Sequence, residues 1–250
     1  MIIAEIGLNH LGLYKRANLY VKKLLTTEID AITLQVRESA YYTGTRQSYL
    51  LEQQDYERIS KLIHSKNKKF GIAIADATQI DFFESIKVDF YKVIRNDMLN
   101  DYLIEKLVNT NKKIIVSTGT CSDIEIEEFI AKYKDANITI NHTQLSYDIE
   151  DCNLSAISRL HDQYKINVSY GNHCSNHKVL YMAPAYKPSD ILFYVKGFVK
   201  HLSWQVLNEP WPDDEHAILI TNVKQLAYDL KILSKAIGTG DKHKMEIKIK

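Results

Sequence analysis

Short apolar runs recur along the chain, and each is followed by a longer stretch with helical period. This alternation constrains the fold more than any other feature. The runs are Ile2–Ile6, Ala31–Val36, Phe70–Ala75, Phe90–Ile94, Lys113–Ser117, Asn137–Asn141, Lys165–Tyr170 and Ile191–Tyr194. They show little in–out alternation, as expected of parallel strands buried on both faces. Between them, Ala17, Val21, Leu24 and Leu25 share one helical face, as do Tyr56, Ile59, Leu62 and Ile63, and Ile126, Phe129, Ile130 and Tyr133. Ser122 with Glu125 predicts a capping box at the start of the fifth helix. A last long helix is predicted from about Asp214 to Ile237, stopped by Gly238. Eight strand–helix units in 250 residues suit a single-domain α/β fold, the (β/α)8 TIM barrel. An open, doubly wound sheet shows the same alternation, so periodicity leaves both on the table, and the eightfold count favours closure. The expected layout is a barrel over residues 1–240 and a short basic tail over 241–250.

Charge removes several classes of partner. With 32 basic and 31 acidic side chains the chain carries a net charge of +1, so no global field draws nucleic acid or an anionic membrane surface. The basic clusters Lys66–Lys69 and Lys242–Lys250 fit a solvated helix end and a tail. No apolar run approaches the roughly 20 residues of a membrane span. The opening Met1-Ile2-Ile3-Ala4-Glu5 lacks a basic leader segment. The 3 cysteines, Cys121, Cys152 and Cys174, are odd in number and far apart, which argues against a disulfide framework. A cytoplasmic location is the expectation.

In a barrel the chemistry belongs at the C-terminal ends of the strands. Those ends are rich in polar residues: Glu5, Asn9 and His10; Gln35, Arg37 and Glu38; Asp76; Lys92, Arg95, Asn96 and Asp97; Ser117 and Thr118; His142, Gln144, Ser146 and Tyr147; Asn172, His173 and Cys174; Lys196 and His201. Lys92 lies within an apolar strand, so its charge requires a carboxylate partner or an anionic ligand. Ser117-Thr118-Gly119, at a strand–helix junction, offers hydroxyl and backbone donors for a phosphate or carboxylate, or serves as turn-and-cap chemistry. His173, Cys174 and His177 form an H-C-x-x-H group of metal-ligand type. His173 paired with His201 from the next strand end is the better metal hypothesis, against two unrelated polar histidines.

The opening Ala4-Glu5-Ile6-Gly7-Leu8-Asn9-His10-Leu11-Gly12 resembles the A-E-I-G-x-N-H-x-G signature of the sialic acid synthase (N-acetylneuraminate synthase) family. Further matches follow in order. Asp30-Ala31-Ile32-Thr33-Leu34-Gln35 resembles D-A-V-K-F-Q, Tyr91-Lys92-Val93 resembles Y-K-I, and Ile115-Val116-Ser117-Thr118-Gly119 resembles I-L-S-T-G. His142 with Tyr147 is similar to H-C-x-x-x-Y, and Tyr170-Gly171-Asn172-His173 to Y-S-D-H. Lys200-His201-Leu202-Ser203 is similar to K-H-F-T, and Pro212-Asp213 with His216 to G-P-D-H.

The resemblance implies a (β/α)8 barrel that condenses phosphoenolpyruvate with an N-acyl sugar or aldose in carbohydrate biosynthesis. It implies a divalent metal (Mn2+ or Mg2+) that activates the sugar aldehyde, and a homodimer. Carried over by position, it implies Glu5, Lys92 and Tyr147 as catalytic residues. Asn9, His10, Ser117, Thr118, Asp97 and Asn172 would bind substrate, and His173 with His201 would bind metal. A competing alignment on Lys196-Gly197-Phe198 deletes the second ligand.

The chain departs from the family pattern at several places. Thr33 replaces a lysine, Ala73 a threonine, Arg95 a serine, Asp97 a glutamate, Leu145 an asparagine, Gly171 a serine and Asn172 an aspartate, and a downstream aspartate falls near Gln205. Arg37 and Arg95 are expected to restore cationic charge toward phosphoenolpyruvate through bidentate bonds. Full-length family members carry a further small domain, and the chain is expected to recognise its sugar without one. The alternative expectation is a barrel that has lost catalysis and binds a sugar or a partner. A third is an aldolase using Lys92 as a Schiff-base amine.

Overall fold

A computed structural model describes residues 1–197 and 211–242, apart from the side chains of residues 95 and 96. The elements run in the order β1 (Ile2–Gly7), α1 (Tyr14–Leu24), β2 (Ala31–Val36), α2 (Gln53–His64), β3 (Lys69–Ile74), α3 (Ile80–Ser85), β4 (Phe90–Val93) and α4 (Asp101–Val108). They continue with β5 (Lys113–Ser117), α5 (Asp123–Lys132), β6 (Ile138–His142), α6 (Ser155–Tyr164), β7 (Asn167–Asn172), α7 (Lys178–Met182), β8 (Ile191–Lys196), β9 (Ile218–Leu219) and α8 (Val223–Ile237).

Strands β1 to β8 pair in sequence order, and β8 pairs back onto β1 with Ile2 opposite Ile191 and Glu5 opposite Tyr194. The sheet is parallel and closed, which excludes the open, doubly wound alternative. Inside the barrel, Ile3, Ala31, Phe90, Ile115 and Leu192 form a small apolar layer. The Phe90 ring fills the space over Gly71, where a Cβ would come within 2.3 Å of it. Outside, each helix buries the apolar stripe that its period predicts. Helix α1 buries Ala17, Val21 and Leu24, α2 buries Tyr56, Ile59 and Ile63, and α8 buries Val223, Leu226 and Leu230.

The predicted capping box is present: the Glu125 backbone N–H donates to the Ser122 hydroxyl and the Glu125 carboxylate accepts from the Ser122 backbone. The last helix differs from expectation. It begins at Val223, and the segment before it turns back so that β9 pairs with β8, Ile218 opposite Val195. The Lys196 ammonium fixes that turn by donating to both the backbone oxygen and the carboxylate of Asp214, each at 2.7 Å. Burial of His216, Ala217 and Ile218 against the barrel outweighs helix propensity here. No helix among the described residues is long and apolar enough to cross a membrane.

Candidate active site

One residue layer above the apolar plug, the barrel interior turns polar. The Lys92 ammonium donates to both carboxylate oxygens of Glu5, at 2.7 and 2.8 Å, across the barrel from β4 to β1. Their side chains are only 4% and 2% exposed. The Thr33 hydroxyl donates to the same Glu5 carboxylate at 3.4 Å, and the Tyr194 ring centroid lies 5.4 Å from the Lys92 nitrogen. An ammonium carries three N–H donors. Glu5 takes two, and the third has no acceptor among the described residues and can serve the cavity that Lys92 helps to line.

That cavity, about 370 Å³, opens at the C-terminal end of the barrel. Lys92, Ser117 and Gln35 line it from the strands, Tyr147 and Leu145 from the loop after β6, and His173 from the loop after β7. Tyr194 and the segment Pro212, Asp213 and His216 complete the wall. Glu5 stands beneath Lys92 as its counter-ion and is not part of the lining.

Aromatic packing sets the far side. The His216 ring stacks on His173, with centroids 4.4 Å apart and planes at 28°, and on Tyr147 at 5.9 Å and 21°. Tyr194 meets both imidazoles edge-on. Burial, with smaller contributions from Lys92, His177 and Lys196, lowers the His216 pKa to about 4. Its imidazole is therefore neutral at pH 7, and neither ring nitrogen has a hydrogen-bond partner among the described residues.

Several predicted residues shape the site from behind. The Asn9 amide donates to the Val195 carbonyl at 2.9 Å and accepts from the Asp213 backbone at 3.1 Å, joining β8 to the Pro212–His216 segment. His10 is fully buried. Its Nδ1 accepts from the Gly12 N–H, and burial with the nearby Arg16 charge lowers its pKa to about 3. Asn172 accepts from the Tyr170 hydroxyl and donates to the Cys174 carbonyl, which fixes the loop that presents His173. Gly7 has φ +57°, and a Cβ there would lie 2.6 Å from the Tyr194 ring and 2.9 Å from the Asp213 carboxylate. The opening signature thus builds the turn on which Tyr194 and Asp213 rest.

Other predictions fall elsewhere. Thr118 donates to the Asn141 carbonyl and lines a separate small cavity with His142 and Arg159. Asp97 sits in the short turn Arg95–Leu99 after β4, outside the described lining. The Arg95 side chain and all of His201 lie outside the described residues. Arg37 does not reach Lys92's cavity: its guanidinium donates to its neighbour Glu38 at 2.8 and 2.9 Å, stacks 4.5 Å over Tyr41, and lines a second cavity. The residues of the H-C-x-x-H grouping make other contacts. The Cys174 sulfur accepts from the Asn176 N–H, and His177 Nε2 faces the His216 carbonyl. No group of three His, Cys, Asp or Glu among the described residues is arranged to hold a metal.

Among the polar and aromatic lining residues, Tyr194, Asp213 and His216 are the ones that residue-type reasoning did not select. Asp213 and His216 stand in a matched motif, but the helix predicted from Asp214 hid the turn that brings them inward.

A closed (β/α)8 barrel with a buried lysine–glutamate pair under a polar mouth defines the structural class. The NeuB family profile matches residues 11–242, and the chain belongs to the NeuB family. It is 26% identical to the N,N'-diacetyllegionaminic acid synthase of Campylobacter jejuni, over 97% of this chain and 78% of that protein. It is 25% identical to the N-acetylneuraminate-9-phosphate synthase of Drosophila melanogaster, over 69% of this chain and 53% of that protein. The crystal structure of the sialic acid synthetase of Leptospira borgpetersenii superposes with a TM-score of 0.86 at 24% identity, covering 98% of this chain and 87% of the other.

Proposed function

We propose that the protein condenses phosphoenolpyruvate with the open-chain aldehyde of an N-acyl sugar in carbohydrate biosynthesis. The observation that supports this most is Lys92, a buried ammonium at the cavity floor with one donor that no described residue takes. In the proposed reaction, carbon 3 of phosphoenolpyruvate bonds to the aldehyde carbon and water adds at carbon 2. The C–O bond to phosphate then breaks, which yields a 2-keto-3-deoxy sugar acid and inorganic phosphate.

The chain's own groups have definable parts in this scheme. Lys92 and the Ser117 hydroxyl hold the anionic end of phosphoenolpyruvate by charge-assisted hydrogen bonds. The Gln35 amide and the Asp213 carboxylate meet sugar hydroxyls across the cavity. Tyr147, half exposed at the rim, covers the sugar. The neutral His216 ring, stacked on His173 and Tyr147, shapes the wall that the sugar would pack against. The divalent metal expected from the sequence finds no assembled ligand group among the described residues, and His201, its second expected ligand, lies outside them.

The test is phosphate release from phosphoenolpyruvate by purified protein with N-acyl hexosamines, with and without Mn2+. Wild type releases phosphate only when both substrates are present, and Ser117→Ala weakens phosphoenolpyruvate binding. A folded protein that stays silent across the panel refutes the proposal.

A second function, sugar binding without catalysis, is favoured by one observation: Glu5 spends both oxygens on Lys92, as a purely structural ion pair would. Saturable sugar binding without phosphoenolpyruvate turnover would select it.

A further inference from the structure

The wall segment before β9 brings Pro212, Asp213 and His216 to the Lys92 cavity, yet it has little regular structure of its own. Among the described residues, the backbone bonds it makes within residues 211–217 are two. The Asp214 N–H donates to the Trp211 carbonyl at 3.1 Å, and the Ala217 N–H to the Asp214 carbonyl at 3.3 Å. Side chains from three other parts of the chain hold its main chain. The Asn9 amide oxygen, in the loop after β1, accepts from the Asp213 N–H at 3.1 Å. The Lys196 ammonium, at the end of β8, donates to the Asp214 carbonyl at 2.7 Å. His177, just before α7, meets the His216 carbonyl through Nε2 at 3.2 Å. A carbonyl oxygen only accepts, so that nitrogen carries a ring proton.

A grip on main-chain atoms fixes where side chains stand, whatever those side chains are. Here it spans the stretch that carries both polar wall residues, Asp213 and His216. The anchors are themselves fixed. Asn9 is fully buried and also donates to the Val195 carbonyl at 2.9 Å, and Lys196 donates a second hydrogen to the Asp214 carboxylate at 2.7 Å. None of the three anchors is among the residues that line the cavity. Lys92 and Ser117 stand on β4 and β5 and share none of these bonds, so loosening the segment leaves their side of the cavity in place. The Lys196 and Asp214 side chains are 21% and 41% exposed, so water replaces what a Lys196 variant removes and the barrel stays folded.

We propose that Asn9, His177 and Lys196 are positioning residues that set sugar affinity by clamping the main chain of residues 213–216. The identity of the ligand rests on the condensation reading above, whereas the clamp itself does not. The test uses the full chain with three readouts: hydrogen exchange at the Asp213 amide by NMR, titration with N-acetylmannosamine and N-acetylglucosamine, and steady-state phosphate release. Lys196→Met is expected to speed exchange at Asp213 about tenfold, because the clamp then opens more often. It weakens sugar binding about fivefold to tenfold, by the ordinary worth of a lost hydrogen bond. The KM for phosphoenolpyruvate and kcat stay within about twofold, as expected when only uniform sugar binding is lost. His177→Leu acts in the same direction. Lys196→Arg and His177→Gln each keep a donor and restore both exchange and affinity. Lys224→Met, exposed on α8, changes nothing. The proposal is overturned if exchange is unchanged in both clamp variants, if it rises while sugar affinity holds, if sugar and phosphoenolpyruvate affinity fall together, or if the donor-keeping variants restore nothing. A folded wild type that binds neither sugar overturns it as well. A wild type that binds sugar but releases no phosphate refutes the condensation reading alone, and exchange with sugar titration still decides the clamp.

Discussion

Removing Lys92 or Glu5 alone strands a buried charge. Lys92→Met leaves the Glu5 carboxylate, 2% exposed, with only the Thr33 hydroxyl at 3.4 Å to bond it among the described residues. Glu5→Leu leaves the Lys92 ammonium, 4% exposed, without both of its short hydrogen bonds. Breaking a buried pair in this way costs about 3–5 kcal/mol, whereas replacing both partners by apolar side chains of similar size is often near neutral. The double variant Glu5→Leu/Lys92→Met is therefore expected within about 2 kcal/mol of wild type, with a favourable coupling of at least about 3 kcal/mol. Urea denaturation followed by circular dichroism measures all four proteins. Single variants that each cost under about 1 kcal/mol, or a double variant equal to the sum of the singles, would refute the argument that the pair is a buried, mutually dependent unit.

Further outcomes follow from individual contacts. His10, with a pKa lowered from 6.5 to about 3 in the fold, takes up a proton more readily when unfolded. Its contribution to stability is therefore full above pH 6.5 and is lost as pH falls toward 3, by up to about 1.4 kcal/mol per pH unit. The difference between wild type and His10→Asn in denaturant titrations from pH 7 to pH 4 reads this slope, and a constant difference across the range contradicts it. Gly7→Ala adds a Cβ at positive φ against Tyr194 and Asp213. It is expected to destabilise by about 2 kcal/mol or more and to shift the Tyr194 ring signals, and a neutral effect would show that the turn yields. Ser122→Ala removes the capping box and should cost about 1 kcal/mol by thermal or urea unfolding with no change at the site.

What could be read from the sequence divides along physical lines. The strands and the capping box were legible because local rules govern them: apolar runs buried on both faces, and a serine placed three residues before a glutamate. Lys92 was legible as a charge needing a partner, and the partner proved to be Glu5, two motifs that sequence distance keeps apart. The roles of Asn9, His10 and Asn172 were not, because a polar residue in a signature reads alike whether it touches a ligand or holds the loop that does. Arg37 was drawn toward phosphoenolpyruvate by its charge alone, but the adjacent Glu38 and the Tyr41 ring hold it away from Lys92. His216 escaped because helical period continues plausibly through Asp214, whereas the Lys196–Asp214 bond, the Asn9–Asp213 bond and the β8–β9 pairing turn that segment inward.

The central proposal is that the Lys92 cavity forms a carbon–carbon bond between phosphoenolpyruvate and a sugar aldehyde. The most direct measurement is 13C NMR of [2-13C]phosphoenolpyruvate incubated with an N-acyl hexosamine, Mn2+ and either wild type or the Glu5→Leu/Lys92→Met double variant. Wild type should move the label from the enol carbon to the ketone or hemiketal carbon of a sugar acid, with one phosphate released per label moved, while the folded double variant leaves it in place. Unchanged phosphoenolpyruvate with wild type, or labelled pyruvate without a sugar adduct, would contradict the account.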